Sequence, residues 1–218
     1  KNLMEKFDRQ QNLRDNFNRF WSGVFSRHDS YASTEDYYAM MSLSDFIGLK
    51  QTLSDINNII TLQLTIKAVE YFLEMGIITD AQSLHMKRGI LEDKPNSNGY
   101  DIAYADGDVR IIAEIKGNIP CVGKNSSVNV GFKEYYGSNQ IEQLINDIRC
   151  LLDGKGKAQM NFVPAECGKF LFILYPGETA ISQLISKALS KRYSVKLLAD
   201  EPYDPAFAGV NIVPISIS

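Results

Sequence analysis

Apolar residues recur along this chain with two different periods, and the periods divide it into elements. Between 54 and 75 the run SDINNIITLQLTIKAVEYFLEM sets Ile59, Leu62, Ile66, Val69 and Leu73 at helical spacing. Ser54 or Asp55 caps its start and Gly76 stops it. On this reading Glu70 projects close to the centre of the apolar stripe, and an inward glutamate needs a partner. A second helix is predicted over 139–152, with Ile141, Leu144, Ile145, Ile148, Leu151 and Leu152 on one stripe, and a third over 178–191. Residues 1–27 read as helical and 37–50 as a short helix, an N-terminal helical extension over 1–53 packed on a core domain over 54–218.

Strand patterns alternate with these helices. The runs 82–91, 169–175, 194–199 and 210–217 read as strands, the last placed at a sheet edge by Pro214. Between 99 and 118, GYDIAYADGDVRIIAEIKGN flanks Asp106-Gly107 with alternating residues, the pattern of a β-hairpin. A two-residue turn at Asp106-Gly107 sets Ala105 opposite Asp108 and Asp101 opposite Ile112, with Glu114 as the diagonal neighbour of Asp101. Side chains alternate along a strand, so Asp101, Glu114 and Lys116 emerge on one face, and Ile111, Ala113 and Ile115 on the other. The order of elements predicts an α/β fold, a central mixed sheet flanked by helices.

The charged face changes the picture. Two carboxylates this close raise each other's pKa unless a cation intervenes. They can share one divalent cation, and hard oxygen donors with no nearby His or Cys point to magnesium or manganese. His28 and His85 lie far apart and read as surface or packing residues. Cys121, Cys150 and Cys167 are odd in number and widely spaced, which argues against disulfides or zinc and for a cytoplasmic setting. No apolar run is long enough to cross a bilayer, so no membrane partner is expected. The formal net charge of −3 argues against a non-specific polyanion binder, although 81–200 carries a small positive excess. The glycines around 117–125 have the wrong spacing for a phosphate loop, and the DGKGK turn at 153–157 reads as an exposed basic loop.

Asp101, twelve intervening residues and then Glu114-Ile115-Lys116 resemble the signature of the PD-(D/E)xK nuclease superfamily, with Tyr100 where that family often has proline. The resemblance covers about 54–200. It implies a restriction-endonuclease-like core and a Mg2+-dependent DNA endonuclease, most like a type II restriction enzyme, with Mn2+ as a substitute ion. Asp101 and Glu114 would be metal ligands with the carbonyl of Ile115, and Lys116 would position and polarise the attacking water. Glu70 matches an acidic residue that many members carry on the preceding helix, as ligand and catalytic group. Gln140 matches a glutamine that a subset carries on the following helix, although Leu144 stands where tyrosine is frequent. Gln140 borders the apolar stripe whereas Gln143 faces away. The implied partners are double-stranded DNA and a second copy in a homodimer. Two alternatives remain open: a structure-selective repair or recombination nuclease, and a non-catalytic DNA-binding or assembly protein on the same scaffold.

Overall fold

The computed structural model describes residues 43–92, 99–117, 138–156, 162–174, 177–199 and 202–215. The expectations for 1–42, for the glycine-containing stretch that follows Gly117 and for Cys121 and His28 lie outside the described residues. The elements in chain order are α1 (Leu43–Glu74), α2 (Asp80–Glu92), β1 (Ile102–Asp106), β2 (Val109–Lys116), α3 (Ser138–Asp153), a 3-10 turn (Pro164–Glu166), β3 (Gly168–Leu174), α4 (Gly177–Ser190), β4 (Val195–Leu197) and β5 (Val210–Ile215). They form an α/β fold around one mixed five-stranded sheet of order β1-β2-β3-β5-β4. The β1–β2 pair is antiparallel, and β2–β3, β3–β5 and β4–β5 are parallel.

Two apolar layers clamp the sheet. Leu64, Ala68, Val69 and Phe72 of α1 and Met86 of α2 pack on Ile111, Ala113, Ile115, Phe170, Phe172 and Val213. Ile141, Leu144, Ile148 and Leu151 of α3, with Ile181 and Leu184 of α4, pack on Ile112, Leu171, Ile173 and Ile212. The strict alternation along β2 and β3 feeds both layers, as expected for strands covered on each face.

Helix α1 runs unbroken through the expected boundary at 53/54, so no break in secondary structure separates an extension from a core there. Its end is a Schellman motif. Gly76 takes a left-handed φ of 66°, the Ile77 N–H donates to the Phe72 carbonyl, and the Gly76 N–H donates to the Leu73 carbonyl.

Residues 82–91 are helical, not a strand. Thr79 and Gln82 form a capping box: the Gln82 side-chain oxygen accepts the Thr79 N–H at 3.0 Å, and the Gln82 N–H donates to Thr79 Oγ1 at 3.3 Å. Ser83 and Met86 are buried and Ile90 half-buried, one stripe at helical spacing.

The hairpin pairs Asp106 with Val109 and Ile102 with Ala113, two residues away from the predicted register. Gly107 occupies the first central turn position with φ 58°, as a type II′ hairpin requires, rather than the second. A slip of one residue would exchange the faces of the strand; a slip of two preserves them. Pro214 sits in β5, which is interior and not at the edge. Val210 N–H and the Ile212 carbonyl bond towards the β4 side, so the missing N–H of Pro214 also points there, beyond the end of β4 at Leu197. Proline is tolerated because that flank of β5 is locally an edge.

Candidate active site

Beyond the Ile102–Ala113 pair the hairpin register sets Asp101 beside Glu114, not on its diagonal. Side chains directly opposite on antiparallel strands are separated by about 4.5–5.5 Å at Cβ, closer than the roughly 7–8 Å of diagonal neighbours. Strand β1 has ended at this point. Asp101 Oδ2 takes over the ladder by accepting the Ile115 N–H at 2.7 Å. The Ile115 carbonyl lies on the same flank of β2 as its N–H. Gly117 follows Lys116 against α1, where a Cβ would come within 2.7 Å of Leu64 Cδ1.

Glu114 faces α3 and is 4% exposed. Burial, then the charge of Asp101, raise its pKa from 4.5 to about 7, against the lowering effect of Lys155. Burial also raises the Asp101 carboxyl, opposed first by the Ile115 N–H. Tyr100 is buried beneath them, with Lys155 Nζ 5.3 Å from its ring centroid.

Two residues join this group that the sequence pattern did not single out. Lys155 Nζ donates to Glu114 Oε1 at 2.5 Å. It belongs to the turn read as an exposed basic loop, yet its side chain is only 28% exposed. Asp147 lies on α3, is buried, and sits 3.1 Å from Lys116 Nζ through Oδ2, an ion pair not aligned as a hydrogen bond. Burial raises the Asp147 carboxyl and Lys116 opposes the rise. The spacing of Asp147 from Leu144, Ile148 and Leu151 put it within reach of the core face of α3. Lys155 left no such signal, because it lies past the end of the helix.

Glu70 is exposed and forms an ion pair with Lys87 of α2 at 3.0 Å. The buried face of α1 is centred on Thr65, Ala68 and Phe72, and at 100° per residue Glu70 points about 150° away from it. Moreover, α1 covers the sheet face opposite to that of Glu114. The structure therefore does not bring Glu70 to Asp101 and Glu114, and its predicted inward direction is corrected. Gln140 is half-buried at the start of α3. Gln143, exposed, lines an open cleft of about 380 Å³ with Lys116, Glu142, Asn146 and Asp147. His85 is a surface residue set edge-on to Tyr104, their ring centroids 5.8 Å apart.

The donor set fits a hard divalent cation. Asp101 and Glu114 each engage one oxygen and keep a second that makes no hydrogen bond to the described residues. Among the described residues no three His, Cys, Asp or Glu side chains gather closely enough to hold a metal together. Magnesium commonly binds through one or two carboxylates and keeps several waters. Also among the described residues, no helix is long and apolar enough to cross a membrane. No known protein family, curated protein or solved structure matches this chain.

Proposed function

We propose that the protein is a Mg2+-dependent endonuclease that hydrolyses phosphodiester bonds of double-stranded DNA, most like a type II restriction enzyme acting as a homodimer. One observation carries the reading: Asp101 and Glu114 stand abreast at the end of the hairpin, both raised in pKa, with Lys116 two residues on along the same strand face. A buried and a half-buried carboxylate, both with raised pKa values, form an electrostatic hole that a divalent cation would fill. Asp101, Glu114 and the Ile115 carbonyl would hold the ion, and Mn2+ would substitute for Mg2+. When bound, the ion supplies an acidified water and a counter-charge for the phosphate. Lys116, held by Asp147 at the mouth of the open cleft, would orient the attacking water and add positive charge where the transition state gains negative charge. Ile115 fixes Asp101 through its N–H, so the carboxylate needs little rearrangement.

Plasmid DNA incubated with the protein, with and without Mg2+, tests this. Discrete Mg2+-dependent fragments, lost in Glu114→Ala, are expected. A Mg2+-dependent smear or nicking would instead indicate a structure-selective or non-specific nuclease. The second reading, a non-catalytic DNA-binding protein on this scaffold, is favoured by the Lys155–Glu114 and Lys116–Asp147 ion pairs, which neutralise much of the acid cluster internally. It predicts neither cleavage nor Mg2+ uptake.

A further inference from the structure

The acid cluster already contains a cation. Lys155 reaches Glu114 from the turn after α3, between Gly154, with φ 91°, and Gly156. Helix α3 is closed before it, Gly154 N–H donating to the Cys150 carbonyl at 2.9 Å. The lysine therefore hangs on a short glycine-flanked segment and not on a rigid helical turn. Its ammonium contacts the Glu114 carboxylate that a divalent cation would ligate, and the same Nζ lies over the Tyr100 ring, 5.3 Å from its centroid. Lys116 is turned to Asp147 and does not perform this task.

An incoming dication reverses the charge balance of this arrangement. With every group ionised, Asp101, Glu114 and Asp147 face Lys116 and Lys155, an excess of one negative charge. A dication added to all five leaves an excess of one positive charge, with an ammonium pressed against the ion at a shared carboxylate. Like charges within about 4 Å repel strongly in a poorly solvated setting. The same dication with Lys155 withdrawn leaves the cluster neutral.

We infer that Lys155 is an internal counter-ion, which occupies Glu114 in the cation-free protein and is expelled when a divalent cation binds. The inference rests on the reading of Asp101 and Glu114 as cation ligands. It assigns a function to a lysine outside the Asp101/Glu114/Lys116 pattern. Lys155 keeps the two carboxylates assembled without metal, and it sets the cation concentration above which the site loads. A Glu114 stripped of this partner would be a more open ligand, because the ion would no longer have to break a charge-assisted hydrogen bond.

Calorimetric titration with Mn2+ alone, at pH 8 and without nucleic acid, tests it. The set is the wild type, Lys155→Met, Lys155→Gln, Lys155→Arg and Glu114→Gln, each verified as folded by circular dichroism. Removing the ammonium should tighten Mn2+ binding about tenfold or more, the equivalent of one hydrogen bond to a charged group. Both neutral variants should do so, whereas Lys155→Arg stays near the wild type and Glu114→Gln abolishes binding. Amine labelling followed by mass spectrometry should show Lys155 reacting faster when Mn2+ is present. If wild type binds Mn2+ through Glu114 but the neutral variants bind no tighter, the counter-ion role is overturned and the metal-site reading survives. If Glu114→Gln binds Mn2+ like wild type, or if neither wild type nor Lys155→Met binds it, both fall.

Discussion

The two faces of the sheet are built from the same strand by opposite rules. Towards α1 and α2, β2 presents Ile111, Ala113 and Ile115, which meet a dry cluster in which Phe72, Phe170 and Phe172 contact one another edge-on or stacked. Towards α3 it presents Ile112, Glu114 and Lys116, and the burial that stabilises Ile112 raises the pKa of Glu114. The first face gains from every group it removes from water. The second holds charges whose desolvation is only partly compensated by two lysines and one backbone N–H. This contrast explains how the charged end of β2 persists. Its apolar side anchors the strand, and the anchoring offsets the carboxylates on the other side.

Truncating the anchor has the largest expected effect. Phe172 is fully buried and touches Tyr71, Phe72 and Phe170. Phe172→Ala should cost about 3–5 kcal/mol in urea unfolding. A loss under about 1 kcal/mol would mean that the apolar face is not the anchor.

The charged face predicts an effect of similar size but governed by pH. In the folded protein the Glu114 carboxyl titrates near 7, above its ordinary 4.5. The folded state thus binds a proton more tightly than the unfolded chain between those values, and stability falls as pH rises through that window. The full shift corresponds to about 3 kcal/mol, complete above pH 7. The raised Asp101 and Asp147 carboxyls act in the same direction. Urea melts from pH 4.5 to 8 should show cation-free wild type losing stability relative to Glu114→Gln. Parallel curves would mean that burial does not perturb Glu114.

The smallest effect tests whether local backbone rules matter beside the packing. A Cβ at Gly76 would meet nothing within 4 Å, so Gly76→Ala strains only the left-handed cap of α1. Its expected cost is about 1–2 kcal/mol by thermal melting. A cost equal to that of Phe172→Ala would mean that the cap and not the aromatic cluster holds α1 in place.

Much of the charged site was legible in the alternation of β2, and it survived an error. The Asp106-Gly107 pair points to a turn one position earlier than the real one, a register two residues away, yet in both registers Asp101 and Glu114 share a face, and in the real one they lie closer together. The short apolar pattern of 82–91 suits a strand as well as a helix, and only Thr79 and Gln82, at capping-box spacing, point to the helix that forms. Glu70 failed for another reason. The apolar residues of α1 spread widely around its circumference, and local spacing did not state which flank would meet the sheet.

Local sequence is enough for the elements that follow from backbone geometry: the alternation that puts Glu114 and Lys116 on one face, the stripe of α3, and the glycine stop of α1. These periods belong to single segments and need no partner to be read. Tertiary structure decided the rest. It chose Thr65, Ala68 and Phe72 as the buried flank of α1, turned Glu70 to Lys87, set Asp147 against Lys116, and brought Lys155 back to Glu114 from 41 residues away. Such meetings depend on how packed layers and chain reversals close in space, and the energy that selects them is shared among residues that no local pattern links.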